Sequence, residues 1–195
     1  PKMMDYYTPM VEQLNAICEE SARLGALVSD ILDYSKLQSG AEAMHPETFS
    51  GEDALGELVQ RFALAAGKRD VALELFCSGG AIRFDRGQFT QVMNNLLDNA
   101  VRHAKARTRI RVSCEAREDC TRISVENQGE PIPAEELPKI WDRYHRAPQH
   151  GEAGGLGTGL GLAIVKSILE RHGVAYGAES DEQRTMFWFD TMPLQ

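Results

Sequence analysis

The sequence lacks any run of 18 apolar residues, so nothing in it reads as a membrane-spanning helix, and its N-terminus has no charged-then-apolar secretory pattern. The chain begins at Pro1 without an initiator Met, so an upstream membrane segment is left open. Basic charge is in short supply: 21 Lys and Arg stand against 29 Asp and Glu, for a formal net charge of -8. No basic stripe occurs, and a nucleic-acid partner is excluded on that ground. Cysteine is sparse. Cys18, Cys77, Cys114 and Cys120 form no Cys-x-x-Cys pair and have no His at zinc-like spacing, which points to reduced, partly buried thiols. Internal repeats and low-complexity stretches are absent too. What remains is 195 residues, 43% apolar and 26% charged, enough for one globular domain with an appendage.

The appendage comes first. Met10, Leu14, Ile17, Ser21, Leu24, Val28, Ile31 and Ser35 alternate steps of four and three, a heptad seam that predicts one long helix stopping near Gly40. Such a stripe calls for a partner helix or a second copy to cover it. Ala41 to Pro46 reads as a linker, dividing residues 1–44 from a domain over 45–195. In that domain Leu55, Leu58, Val59, Phe62 and Ala66 are helix-spaced, and 71–76 reads as a strand. A strongly apolar helix follows around 89–101. Strands at 109–115 and 122–127 carry a hairpin signature. A helix is expected from Glu135 to Trp141 and another from Leu160 to Arg171, with two last strands within 174–190. Helices and strands mix without regular alternation, which predicts an α+β arrangement, an antiparallel-rich sheet with helices on one face.

Two segments carry chemistry. Around the Leu160 helix start, glycines at 155, 157, 159 and 161 leave the backbone without Cβ atoms, so its N–H groups can approach an anion. The helix that begins there adds unpaired N–H groups and a favourable dipole. The loop fits neither a dinucleotide fingerprint, since no βαβ unit follows, nor a P-loop, since no Gly-Lys-Ser/Thr is present; standing alone it could serve as a hinge. It is accompanied by Asn95 and Asn99, two carboxamides four apart and hence on one helix face. An Asn among apolar neighbours is costly unless its side chain finds partners, and its neutral oxygen suits Mg²⁺ shared with phosphate. Arg102 and His103 follow one turn on.

These segments resemble a known family in order and spacing. Asn95-Leu96-Leu97-Asp98-Asn99-Ala100 resembles the N box of the GHKL ATPases. Asn127-Gln128-Gly129 is similar to their first glycine box, and Gly157-Thr158-Gly159-Leu160-Gly161-Leu162 to their second. Ile140-Trp141-Asp142-Arg143-Tyr144-His145-Arg146 resembles the F box, which narrows the likeness to sensor histidine kinases of two-component systems. Residues 21–37 are similar to the second helix of their dimerisation and phosphotransfer hairpin. The resemblance implies a two-layer α/β sandwich holding ATP between the N-box helix and a lid over Ala147 to Leu156. It implies Mg²⁺ on Asn99 with Asn95 beside it, phosphate contact from Arg102, and His103 along the nucleotide. It assigns Gly155, Gly157, Thr158, Gly159, Leu160 and Gly161 to the phosphates, and Asn127, Gly129, Ile132, Tyr144 and Arg146 to the rest of the nucleotide site. Arg143 and Arg146 are each expected either at phosphate or at the docking face of the phosphotransfer helices. Partners implied are that helix, from its own or a partner subunit in a homodimer joined through the N-terminal helix, and a response-regulator receiver domain. The location implied is the cytoplasmic portion of a membrane sensor.

The sequence also departs from the family. Asn127 stands where an Asp ordinarily accepts a hydrogen bond from adenine, and Pro131 replaces a glycine; a neutral acceptor predicts a weaker bond to the base. This leaves a nucleotide-binding regulatory module as the alternative. Asn95 stands where the hydrolytic relatives carry a Glu, and a carboxamide is no general base, which favours transfer over hydrolysis. The acceptor His is missing: Asp5-Tyr6-Tyr7-Thr8-Pro9 is only a chance echo of its surroundings, with Met4 where the His would be, and His45, His103, His145, His150 and His172 lack its context. The chain by itself is expected not to phosphorylate itself.

Overall fold

The computed structural model describes residues 4–39, 43–145 and 158–193. The heptad stretch forms a 36-residue helix, α1 (Met4–Ser39). Much of its stripe lies open: Met10, Leu14, Ile17, Leu24, Val28 and Ile31 are exposed, Ile17 by 61%. Towards its C-terminal end Tyr34 and Leu37 pack on the core of the domain that follows. The expected stop at Gly40 lies outside the described residues.

The domain runs β1 (Pro46–Ser50), α2 (Gly51–Gly67), β2 (Val71–Cys77), β3 (Ala81–Asp85), α3 (Arg86–His103), β4 (Thr108–Ala116), β5 (Thr121–Asn127), α4 (Gly161–His172), β6 (Tyr176–Ser180) and β7 (Thr185–Asp190). Five strands make one sheet in the order β2-β4-β5-β7-β6, parallel between β2 and β4 and antiparallel elsewhere. Period-2 alternation turns Ile123 and Val125 of β5 and Phe187 and Phe189 of β7 to one buried face. That face meets Phe89, Val92, Met93, Leu96 and Leu97 of α3 and Ile164, Val165 and Ile168 of α4 in a single core. The result is the expected two-layer sandwich. Helix starts follow local chemistry: Ser50 accepts from the Asp53 N–H at 3.2 Å and Asp85 from the Gln88 N–H at 3.0 Å, satisfying donors at the first turns of α2 and α3.

Two elements differ from expectation. β1 and β3 pair as a separate antiparallel ribbon at which the sequence pattern predicts no strand. Each strand has five residues, and β1 buries Phe49 alone, too few apolar positions to show a period. The segment from Glu135 to Trp141 forms successive turns rather than a regular helix. Pro138 has no N–H to continue an i to i−4 ladder, so the Leu137 N–H bonds the Pro133 carbonyl and the Ile140 N–H bonds that of Glu136 with a break between.

His172 joins the last turn of α4 to the first turn of α3. It is 6% exposed, its ring stacks on Phe84 with centroids 3.7 Å apart, and its Nε2 lies 3.0 Å from the Gln88 amide oxygen. Burial pushes its pKa from 6.5 down to about 4, opposed by the Asp85 carboxylate and helped by Arg171, so the folded protein holds the neutral ring. Between those two values the unfolded chain takes up a proton that the folded one refuses. Stability from this group is therefore complete above pH 6.5 and declines as the pH falls towards 4, by ~3 kcal/mol in all. Urea unfolding at a series of pH values should show this slope, and His172→Gln should flatten it; equal slopes in both proteins would refute the assignment.

Candidate functional site

The polar side of α3 is the axis of the site. Its other side is buried core, whereas Asn95, Asn99, Arg102 and His103, at steps of four, seven and eight, share a face. Eight residues at 1.5 Å each make this stripe ~12 Å long. At one end stands the start of α4: a Cβ on Gly161 would come within 2.8 Å of the Asn95 side-chain oxygen. At the other stands Gly129, where a Cβ would lie 2.5 Å from the His103 carbonyl oxygen and 3.0 Å from the Asn127 amide nitrogen. Bare backbone therefore meets the helix at both ends of the stripe. The Asn95 amide donates to the Gln91 carbonyl at 2.9 Å, which orients its oxygen. Asp98 is exposed and forms an ion pair with Arg102. Burial holds the His103 imidazole below its ordinary pKa, with Arg102 and Arg69 adding to the effect, which favours a neutral ring.

Asn127 closes the His103 end. As the last residue of β5 it shares the helix-side face with Ile123 and Val125 and is 2% exposed. Directly across the ladder is Thr185 of β7, 5% exposed. Its hydroxyl lies 2.7 Å from that of Ser180, which also accepts the Ile132 N–H at 2.9 Å. Thr185 and Ser180 were not singled out from sequence. The alternation that pairs Thr185 with Phe187 was visible there, but the register opposite Asn127 was not.

The other end is built by the glycine loop and the segment around Trp141. Trp141 is anchored edge-on against Tyr176 and Phe187, at 5.1 and 5.8 Å. Three residues on, the Tyr144 N–H donates to the Gly159 carbonyl at 2.9 Å. Gly159 has φ +71°, and a Cβ there would lie 2.9 Å from the Tyr144 Cα, so glycine is required twice over. The Thr158 hydroxyl accepts the Leu160 N–H at 3.2 Å, and α4 begins at the next residue. Its first N–H groups have no intrahelical acceptor and favour an anion. Thr158 also donates to the Asp30 carboxylate of α1 at 2.7 Å, and the Arg143 guanidinium lies 4.7 Å over the ring of Tyr34. Arg146, Gly155, Gly157 and the expected lid, 147–156, lie outside the described residues.

The chemistry on offer is that of a polar helix face with the N–H donors of a helix start at one end and a buried carboxamide at the other. Gly129 and Gly161 bring bare backbone against this face at both ends, and these features fit a nucleoside triphosphate.

Residues 84–195 match the family described as Histidine kinase-, DNA gyrase B-, and HSP90-like ATPase. The sensor histidine kinase CusS of Escherichia coli (strain K12) is 31% identical over 169 residues, which are 87% of this chain and 35% of that protein. The probable sensor kinase SilS of Salmonella typhimurium is 33% identical over 173 residues, with the same shares of 87% and 35%. The chain thus spans about a third of the length of the curated relatives it matches. Among solved structures, the histidine kinase AdeS of Acinetobacter baumannii shares the fold, with a TM-score of 0.78 over 93% of this chain and 84% of that one at 19% identity. The histidine kinase ThkA, in complex with the response regulator protein TrrA, gives a TM-score of 0.74 at 26% identity over 93% of this chain and 50% of that one. From its motifs, its fold and these relatives, this chain belongs to the family of histidine kinase-, DNA gyrase B- and HSP90-like ATPases, as an ATP-binding unit related to the sensor histidine kinases.

Proposed function

We propose that this chain is the catalytic ATP-binding part of a two-component sensor kinase that moves the γ-phosphoryl of ATP to a histidine, for relay to a response-regulator aspartate. The carrying observation is the α3 stripe, bounded by Gly161 at one end and by Gly129 and Asn127 at the other. The triphosphate belongs at the α4 end, with its unpaired N–H groups, and the base at the Asn127 end. Asn99, with Asn95 beside it, is the fitting holder of Mg²⁺, because a carboxamide supplies the neutral hard oxygen this ion takes. When bound, the ion would neutralise charge on the phosphates. Catalysis by the protein itself is then chiefly positioning: α3 fixes the nucleotide lengthwise, and Arg102 would turn to the phosphates on releasing Asp98. Asn95 offers no base to activate water, which leaves an imidazole as the better nucleophile.

The division at residues 44 and 45 belongs to this reading, with α1 as one helix of a phosphotransfer region. The exposed stripe of α1 supports a homodimer joined through it. The ThkA–TrrA complex supports a receiver domain as the next partner. Among the described residues no helix is long and apolar enough to cross a membrane. The 35% share of the relatives' length leaves room for a membrane sensor of which this chain is the cytoplasmic portion.

Two measurements test the proposal. Calorimetry with ATP and Mg²⁺ should detect binding, and Asn99→Ala should weaken it at least about tenfold, a loss of ~1.4 kcal/mol, while binding in EDTA changes little. Equal losses with and without metal would remove Asn99 from the metal's coordination. In the second, radiolabelled ATP is mixed with this chain and a separately supplied phosphotransfer hairpin; acid-labile label should appear on the hairpin, with little phosphate released to water. Brisk hydrolysis with no label transferred would overturn the kinase assignment.

A further inference from the structure

We infer that Asn127 is a specificity-determining residue that opens the base end of this site to 6-oxopurine nucleoside triphosphates as well as to ATP. The inference rests on the ATP-site reading above. A carboxylate at this place could only accept hydrogen bonds; it would suit the 6-amino group of adenine and repel the 6-oxo group of hypoxanthine or guanine. A carboxamide carries an acceptor and a donor side by side. Against adenine, its oxygen accepts from the 6-amino group while its nitrogen donates to N1. After a half-turn about its terminal torsion, the nitrogen donates to O6 and the oxygen accepts from N1–H. Both pairings are bidentate and neither leaves a polar atom unpaired, the condition that otherwise makes a polar pocket reject the wrong ligand.

The half-turn requires that nothing in the protein lock one orientation. Around Asn127, which is 2% exposed, the cross-strand polar groups are engaged with one another. Its cross-strand neighbour Thr185 is engaged with Ser180, and Ser180 with the Ile132 N–H. The Gly129 backbone lies against the Asn127 amide without a Cβ to wedge it. Terminal amide torsions are broad, so the turn costs little.

The test is calorimetric titration of the full chain with ATP and with ITP, which carries the 6-oxo group without guanine's 2-amino group. Wild type should bind ITP within about tenfold of ATP, and Asn127→Asp should shift the preference towards ATP by at least about another tenfold. Asn127→Leu, similar in volume and unable to pair with either edge, should weaken both nucleotides by similar factors, and thermal melts will show whether each variant is folded. A wild type that rejects ITP as strongly as Asn127→Asp does, or an Asn127→Leu protein that loses ATP alone, would overturn the inference while leaving the ATP site intact. Binding of neither nucleotide by wild type would overturn the ATP-site reading itself.

Discussion

Gly129 and Gly161 hold helix α3 at opposite ends of its polar stripe, one against the His103 carbonyl and the other against the Asn95 side chain, and neither contact leaves room for a Cβ. The rest of the site depends on this close approach. With any side chain at Gly129 the chain after β5 would have to retreat from the α3 backbone, and at Gly161 the Asn95 carboxamide would have to turn from its place. The apolar side of α3 makes the approach rigid: Val92, Met93, Leu96 and Leu97 are fully buried between the sheet and α4, so the helix has no slack to absorb a shift.

The electrostatics of the site are those of dipoles rather than of charges. A chain with net charge -8 does not draw in a polyanion through its overall field. Around the stripe the polar groups are carboxamides, Asn95, Asn99 and Asn127, and burial keeps the His103 imidazole biased to its neutral form. Attraction for phosphate is local, from the unpaired N–H groups opening α4, with Arg102 held in reserve by Asp98. Such an arrangement needs no reorganisation to receive its ligand, because backbone donors are already fixed by the helix and by the Thr158 hydroxyl that bonds the Leu160 N–H.

Helix α1 touches the domain where the site is assembled. Asp30 takes the Thr158 hydroxyl at the base of the glycine loop, and Tyr34 lies under Arg143 in the segment clipped to Gly159. Both contacts are polar or cation–π and involve partly exposed groups, each of modest strength and easily exchanged. They contrast with the dry α3–α4 packing through Ile164, Val165 and Ile168. These polar contacts lie beside the apolar packing of Tyr34 and Leu37 on the core.

Much of this could be read from the chain alone, and the reason is locality. The α3 and α4 spacings, the pair of asparagines four apart, the glycines before a helix and the heptads of α1 are all written within a turn or two of backbone, where geometry follows from sequence. The β1–β3 ribbon was not legible, because its strands are too short to carry a period, and Pro138 broke into turns a segment whose apolar spacing resembled a helix. Thr185 and Ser180 were illegible for a different reason: their place beside Asn127 is set by the register of β5 on β7, a pairing across some sixty residues. The types of group available to the site, asparagine amides and bare glycine backbone, were determined by the sequence itself. Tertiary structure alone decided which of them meet, that Gly129 closes on His103 and Gly161 on Asn95, because contacts between distant segments depend on how the sheet and helices pack and on no local pattern.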